Sequence, residues 1–217
     1  MAKVKTNDKD CECLDGDFPR YLLNPFEIIR PSDPRYETAL TREELIEKES
    51  LMSKYTHIVH PFEPVFNEQS KILILGSLPS VKSREQGFYY GHPQNRFWKV
   101  TAKLLDQPIP YLPIEKEYFL LGSHIAIWDV IQECDIIGSS DASIKNVTPT
   151  DLSKVLDNCN IKAIFANGKT AAKLFDKYQK PLVNRDIITL PSTSPANAAF
   201  TLDKLIAEWQ QITKYLK

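Results

Sequence analysis

The stretch that decides the fold is Ile72–Trp98, ILILGSLPSVKSREQGFYYGHPQNRFW. Its first four residues are apolar, which is typical of a short strand buried on both faces, and Gly76 ends the run. The following loop is dense in polar, aromatic and basic side chains. Ligands of open α/β sheets bind at the carboxyl ends of strands, where such loops lie. The stretch therefore predicts either a site for a planar, phosphate-bearing group, such as a nucleotide, or an aromatic-rich structural loop.

The alternation of apolar runs and helical spacing beyond residue 71 predicts the fold class. Strands are expected at residues 72–75, 124–130, 162–166 and 186–190, with helices between them and after the last. One of these helices is expected to open at Thr148-Pro149. This order indicates a three-layer α/β/α sandwich around a central, mainly parallel four-stranded sheet. Right-handed crossovers then bring four segments to one rim, 76–96, 130–147, 167–170 and 191–200.

Size and composition favour one catalytic-size domain with an appendage. The chain has 217 residues, of which 42% are hydrophobic and 25% charged. Residues 1–55 are predicted to form an N-terminal appendage, partly disordered or packed on a surface, and residues 56–217 the main domain. No apolar run approaches the roughly 20 residues of a membrane helix, and the polar N-terminus lacks the apolar centre of a signal peptide. We therefore expect a cytoplasmic monomer without membrane contact.

Cysteine spacing and charge restrict the candidate chemistry. Cys11 and Cys13 form a Cys-x-Cys pair, whereas Cys134 and Cys159 stand alone, so reduced thiols are expected and a metal site is not. The net charge of −1 does not indicate a nucleic-acid-binding protein. Residues 71–217 nevertheless carry 18 Lys and Arg against 14 Asp and Glu, and a local basic patch can contact phosphates whatever the total charge.

The other rim segments each leave two interpretations open. Asn167-Gly-Lys-Thr ends like a phosphate-binding loop but lacks its first glycine, since residue 163 is Ala, so we reject that motif. The Asn167 amide could still recognise a base edge. The Ser/Pro-rich loop 191–197 could grip a phosphodiester or simply cap the last helix. Asp129, at a strand end, could position a water or ligand or cap a turn, and His57 and His60 are expected to be packed or exposed rather than catalytic.

Together these motifs resemble the uracil-DNA glycosylase superfamily over about residues 58–217, most closely its DNA-deoxyinosine (hypoxanthine-DNA) glycosylase branch. The resemblance is carried by five runs of sequence, ILGSLPSVKSRE (74–85), GFYYGHPQNRFW (87–98), WDV (128–130), NGKTA (167–171) and PSTSPAN (191–197). It implies a monofunctional enzyme of base excision repair that needs no metal or cofactor. Its partner would be DNA containing a deaminated base, hypoxanthine first and uracil or xanthine second. That base would be flipped out and its N-glycosidic bond hydrolysed.

The resemblance also implies roles for individual residues. Many members of the superfamily carry an Asp or Asn after the first strand and a His in the fourth loop, where this chain has Leu78 and Ser192. The deoxyinosine branch also lacks both groups, and the resemblance to it points to Asn95 as the catalytic residue, together with Ser77. The implied base-binding residues are Phe88, Tyr89, Tyr90 and Asn167. The implied DNA-binding residues are Ser80, Lys82, Arg84, His92, Ser192, Ser194 and Asn197.

Two alternatives remain open beside this interpretation. The second interpretation is a non-catalytic nucleic-acid-binding module that kept the fold and lost the chemistry, and Leu78 and Ser192 give it some support. A small-nucleotide hydrolase is disfavoured by the missing phosphate loop. Arg96 would either meet the DNA backbone or lie buried behind its helix.

Overall fold

The structure is a computed structural model that describes residues 20–21, 28–29, 34–35, 40–52, 54–138 and 140–217. The chain divides into two compact units, Met1–Tyr55 and Thr56–Lys217. The sequence predictions for Cys11, Cys13 and the polar N-terminal segment lie outside the described residues.

Within its described residues, the first unit contains three short antiparallel strands and one helix. The strands are β1 (Arg20–Tyr21), β2 (Ile28–Ile29) and β3 (Leu40–Thr41), in the order β2-β1-β3, and they precede α1 (Arg42–Met52). The helix begins at a capping box formed by Thr41 and Glu44. Glu44 Oε2 accepts the Thr41 N–H at 2.7 Å, and Thr41 Oγ1 accepts the Glu44 N–H at 3.2 Å.

The second unit is built on a four-stranded parallel sheet. Its elements in chain order are β4 (Thr56–Val59), β5 (Ile72–Gly76), α2 (Val81–Gln86), α3 (Phe97–Leu104), α4 (Pro113–Gly122), β6 (Ile125–Asp129), β7 (Ile131–Ile136), β8 (Lys145–Pro149), α5 (Ser153–Leu156), β9 (Ala163–Asn167), α6 (Lys169–Leu174), a π-helical turn (Phe175–Gln179), α7 (Lys180–Val183), β10 (Ile187–Leu190), α8 (Leu202–Trp209) and α9 (Thr213–Leu216). The parallel sheet has the order β10-β9-β5-β6. This confirms the α/β fold and the central four-stranded sheet expected from the sequence.

The apolar run at the start of the deciding stretch forms the centre of this sheet. Every residue of β5 is buried, and β5 pairs in parallel with β6 on one side and β9 on the other. A strand with two neighbours and helices packed on its faces has no solvated face, which explains why its sequence is continuously apolar. Because these strands are parallel, their carboxyl ends lie at the same rim of the sheet.

The prediction for residues 130–149 was wrong. Instead of a loop and the start of a helix, β7 and β8 pair antiparallel with each other, and β4 pairs antiparallel with β7, giving a second sheet of order β4-β7-β8. The polar residues Gln132, Glu133 and Asp135 are only partly buried and interrupt the apolar pattern, so the sequence does not show the run of a buried strand. The helix expected from Thr148-Pro149 is confined to the single turn α5, because Thr148 and Pro149 belong to β8.

The segment before β5 lies along the edge of the parallel sheet. Val65 exchanges two backbone hydrogen bonds with Ile127 of β6, at 3.1 and 2.9 Å. Five residues before Val65, the backbone N–H of His60 donates to the carbonyl of Gln132 in β7 at 2.7 Å. Residues 60–65 are therefore fixed between the two sheets of this unit. Within the described part of the chain, no helix is long and apolar enough to cross a bilayer.

Candidate active site

A cavity of about 410 Å³ opens where the parallel strands end. All four predicted rim segments contribute to its lining, and so do Gly76, Asp129 and Asn167, the last residues of β5, β6 and β9. The location follows from the topology, because parallel strands place their carboxyl ends and the loops after them at one edge. A cavity of this size can enclose a nucleobase and part of its sugar.

Most of the residues singled out from the sequence line this cavity. Those that do are Ser77, Ser80, Arg84, Tyr89, Tyr90, Asn95, Asn167, Ser192 and Ser194. Leu78 also lines it, so the second residue after β5 contributes an apolar side chain to the cavity. The residues brought together span more than 110 positions in the sequence, and only the sheet order joins them.

One aromatic and one basic residue expected at the site, Phe88 and Lys82, do not line the cavity. Phe88 is directed away from the cavity and packs edge-on against Tyr89, with ring centroids 5.7 Å apart, and at a tilt against Trp98. It therefore packs against the core, and base stacking by Phe88 stays a prediction. Lys82 lies outside the cavity and forms an exposed ion pair with Glu85 at 2.6 Å.

His92 and Asn197 also fall outside the cavity lining. The Nδ1 atom of His92 accepts the Gln94 N–H at 3.1 Å, which stabilises the turn before α3. The side-chain amide of Asn197 donates to the Ser192 carbonyl at 2.9 Å, which stabilises the fourth rim loop. Both side chains thus have local structural partners at the rim.

Asn95 lines the cavity with its amide orientation fixed. Its Oδ1 accepts the backbone N–H of Phe97 at 3.0 Å, at the first turn of α3. Because a backbone N–H can only donate, the acceptor atom of the amide must face the helix, and Nδ2 remains available as a donor. Asn95 can therefore orient a water or a substrate atom, although an amide is not a general base at neutral pH.

Tyr89 and Tyr90 both reach the cavity but differ in their surroundings. Tyr89 is a core residue whose hydroxyl donates to the Glu63 carbonyl at 2.9 Å. Tyr90 stacks on Phe97 at a centroid distance of 4.1 Å, so one face of its ring is covered. Burial raises the pKa of both phenols above the ordinary tyrosine value, and the nearby charge of Asp129 raises each pKa further. Both therefore keep their protons at neutral pH.

The third and fourth rim segments are locked together. The Asn167 amide donates from Nδ2 to Thr193 Oγ1 and accepts from the Thr193 N–H at Oδ1, both at 2.9 Å. Gly168, at a φ of +104°, approaches Ser192 so closely that a Cβ on the glycine would lie 2.9 Å from the Cβ of Ser192. Asn167 thus has a demonstrated structural role, and base recognition by its amide stays a prediction.

Arg96 also fixes the fourth loop. Its guanidinium donates to the carbonyls of Ser194, Asn197 and Phe200, and its backbone N–H donates to Thr193. Of the two roles considered for Arg96, the structure favours the packed one, because a guanidinium occupied by carbonyls has few donors left for phosphate.

Three residues without a site role assigned from the sequence, His60, Asp129 and Lys169, lie at the cavity or against it. Asp129 lines the cavity, and its Oδ2 lies 2.9 Å from Nε2 of buried His60. No local pattern around His60 indicates this contact, which depends on the pairing of Val65 with Ile127 across more than 60 residues. Lys169 lines the mouth together with Arg84, and neither cation forms a salt bridge with a carboxylate in residues 54–138 or 140–217. Across the same described ranges, no three His, Cys, Asp or Glu side chains cluster as metal ligands would.

Comparison with known proteins agrees with this architecture. The sequence profile of the uracil DNA glycosylase superfamily matches residues 63–217, and the chain therefore belongs to that superfamily. A hypoxanthine DNA glycosylase of Methanosarcina acetivorans is 30% identical over 159 residues, covering 71% of this chain and 97% of the relative. The hypoxanthine DNA glycosylase of Methanosarcina barkeri is 32% identical over 114 residues, covering 52% of this chain and 72% of the relative.

A solved structure extends the comparison to three dimensions. The solution NMR structure of a candidate uracil DNA glycosylase from M. acetivorans superposes with a TM-score of 0.62 at 29% identity. The alignment covers 71% of this chain and 96% of that one.

Proposed function

We propose that residues 56–217 form a monofunctional DNA glycosylase that hydrolyses the N-glycosidic bond of deaminated bases, with hypoxanthine as the first substrate and uracil or xanthine as others. The observation that carries this proposal is the cavity at the strand ends, in which a base-sized space, the Asn95 amide, the Asp129 carboxylate and the cationic side chains of Arg84 and Lys169 meet. The names of the M. acetivorans and M. barkeri relatives support hypoxanthine as the first substrate.

The arrangement suits base flipping. A base inside a duplex is inaccessible to hydrolysis, so the nucleotide must rotate out of the stack into a pocket. Arg84 and Lys169 at the mouth can hold the phosphates beside the flipped nucleotide, and the deep part of the cavity can enclose the base. Rotation about the backbone then brings the sugar between the mouth and the floor.

The chemical step needs stabilisation of an oxocarbenium-like sugar and a positioned water. Leu78 provides neither, and the serine at position 192 is a weaker donor than histidine. The fixed donor of Asn95 can orient the water, and the phosphates of the substrate itself can stabilise positive charge on the sugar. We expect a modest rate from this machinery, because no general base of matched pKa is assigned to the water.

One assay tests the proposal. Duplex oligonucleotides carrying a single hypoxanthine, uracil or xanthine are incubated with the protein, and abasic sites are then cleaved with alkali. Strand scission that is fastest for hypoxanthine and absent on undamaged duplex is the expected result. DNA binding without scission on any lesion would instead favour the non-catalytic nucleic-acid-binding module, to which the apolar Leu78 in the cavity lends some support. The cytoplasmic location and the monomeric state stay predictions.

A further inference from the structure

The carboxylate of Asp129 and the hydroxyl of Tyr90 lie at the floor of the cavity, and the imidazole of His60 is buried behind Asp129. None of these three polar groups has a role in the mechanism above. The side chains of His60 and Asp129 are 0% and 5% exposed. The Tyr90 oxygen is buried and has no hydrogen-bond partner among the described residues. Buried polar groups in folded proteins are almost always paired, so an unpaired hydroxyl beside a carboxylate in a cavity points to a ligand.

The hydrogen bonds of His60 determine its tautomer. Nδ1 accepts the backbone N–H of Phe62 at 3.1 Å, and a backbone N–H can only donate. The ring proton must then lie on Nε2, which donates to Asp129 Oδ2 at 2.9 Å. The ring is fixed in place as well, because the backbone of His60 bonds to Gln132 and the chain pairs with β6 at Val65. His60 thus acts as a rigid donor that orients one oxygen of Asp129.

The second oxygen of Asp129 is left to the cavity. A Cβ built on Gly76 would lie 2.1 Å from Asp129 Oδ1 and 3.3 Å from the Tyr90 hydroxyl, so both atoms lie over the same glycine. Asn167 approaches the Tyr90 hydroxyl without reaching hydrogen-bond geometry. The floor therefore offers a carboxylate acceptor next to a phenol donor, both at the end of the central strands.

We propose that Asp129 Oδ1 and the Tyr90 hydroxyl recognise the C(=O)–N–H edge of the flipped base, with His60 as the positioning residue that holds Asp129 in register. The carboxylate accepts the ring N–H and the phenol donates to the adjacent carbonyl. This edge is shared by hypoxanthine, uracil and xanthine. The inference rests on the proposed glycosylase function. It assigns base selectivity to three residues, and one of them, His60, precedes the region matched by the family profile.

The chemistry predicts a sharp discrimination. Unsubstituted purine has the size of hypoxanthine, but it carries a lone pair at N1 and a C–H at C6. Purine in the cavity would leave Asp129 Oδ1 and the Tyr90 hydroxyl unpaired, and Oδ1 would face a second acceptor. We expect a preference for hypoxanthine over purine on the order of 100-fold, the size expected when a buried charged group loses its partner.

The experiment compares duplexes carrying hypoxanthine or purine at one position, with two readouts. Single-turnover excision is measured on normal deoxynucleotides, and affinity is measured on uncleavable 2′-fluoro analogues. The isosteric variant Asp129→Asn is the main test. The Nε2–H of His60 would hold the amide oxygen, so the amide N–H₂ would face the cavity and the preference should fall to a few-fold or reverse towards purine. Circular dichroism and the unfolding midpoint verify that the variant is folded.

His60 is tested by removal and rescue. His60→Ala should reduce the ratio of hypoxanthine to purine, and His60→Gln should recover much of it, since its amide can also donate to Asp129 Oδ2. If His60 were merely structural, both variants would slow both substrates equally and leave the ratio unchanged, which would overturn its positioning role.

The outcomes separate this inference from the proposed function. If the wild type excises hypoxanthine and Asp129→Asn retains the full preference, the inference fails and the glycosylase function stands. If the wild type excises nothing but binds hypoxanthine DNA preferentially in an Asp129-dependent way, the function fails and the recognition site stands. Absence of both excision and preference would refute both.

Discussion

Gly76 and Asp129 face each other at the ends of β5 and β6, so closely that a Cβ on Gly76 would lie 2.1 Å from Oδ1 of Asp129. Glycine at this position therefore makes room for a carboxylate at the floor of the cavity. The requirement is one of space, since any larger residue at position 76 must displace the Asp129 side chain.

Substitution of this glycine should damage the site and the fold together. Gly76→Ala is expected to destabilise the protein by about 1–3 kcal/mol, because β5 is fully buried and the carboxylate must move. Excision of hypoxanthine should fall with it. Gly122→Ala is the matched control, because no atom lies within 4 Å of the added Cβ, and it should leave stability and activity near those of the wild type. Denaturant unfolding measures the stability of both variants, and the excision assay measures their activity. Equal stability of the two variants would contradict the steric argument.

Asn95 tests the catalytic assignment. Asn95→Ala should lower single-turnover excision about 100-fold, because it removes the donor that orients the water. Loss of the hydrogen bond to the Phe97 N–H should also cost about 1 kcal/mol of stability. Gln94→Ala, at an exposed neighbouring position, serves as the control and should match the wild type in both measurements. Full activity in Asn95→Ala would show that the water is positioned by another group.

The two cations at the cavity mouth should set the salt dependence of DNA binding. Arg84→Gln and Lys169→Gln are each expected to weaken binding and to reduce the slope of log affinity against log salt by about 1, as for the loss of one phosphate contact. Lys162→Gln provides the control, because Lys162 directly precedes β9 and so lies at the amino ends of the parallel strands, opposite the cavity. Fluorescence anisotropy over a range of salt concentrations measures the slopes. An unchanged slope in both rim variants would mean that DNA approaches from another side.

The buried tyrosines predict alkaline sensitivity. Burial raises the pKa of Tyr89 and Tyr90 in the folded protein, whereas both phenols titrate near pH 10 in the unfolded chain. The unfolded state therefore loses these protons first, so the stabilising contribution is complete below about pH 10 and decreases as the pH rises further. Unfolding free energies measured between pH 8 and 11 should show no loss from these two groups up to about pH 10 and a fall above it, and the fall should be smaller in the Tyr89→Phe and Tyr90→Phe double variant. A parallel decline in both proteins would exclude these two groups as the cause.

The sequence was sufficient for the parallel sheet because its signal is local and strong. Ile72–Leu75 and the runs preceding Asp129, Asn167 and Pro191 are short apolar segments bounded by polar residues, and each became a strand. The rim followed from topology alone, since parallel strands align their carboxyl ends. Most of the predicted site residues line the cavity for this reason.

The remaining features depend on contacts that no local pattern encodes. The β7 strand carries Glu133 and Asp135 on a half-exposed sheet, where alternation of apolar and polar residues is weak. Phe88 is adjacent in sequence to two cavity residues, but its side chain turns into the core against Trp98. His60 reaches Asp129 only because the chain is paired with the edge of β6. In each case tertiary packing, and not residue type, decides where the side chain points.

The order of the sheet has a consequence for how the protein folds during synthesis. The central strand β5 needs β6, about 50 residues later, and β9, about 90 residues later, as its two neighbours. Until residues 163–167 have left the ribosome, one edge of a fully apolar strand has no partner, and pairings of such long sequence separation form slowly. The nascent chain should therefore depend on chaperones to protect β5 from aggregation, and the cavity can close only when the last quarter of the chain has emerged.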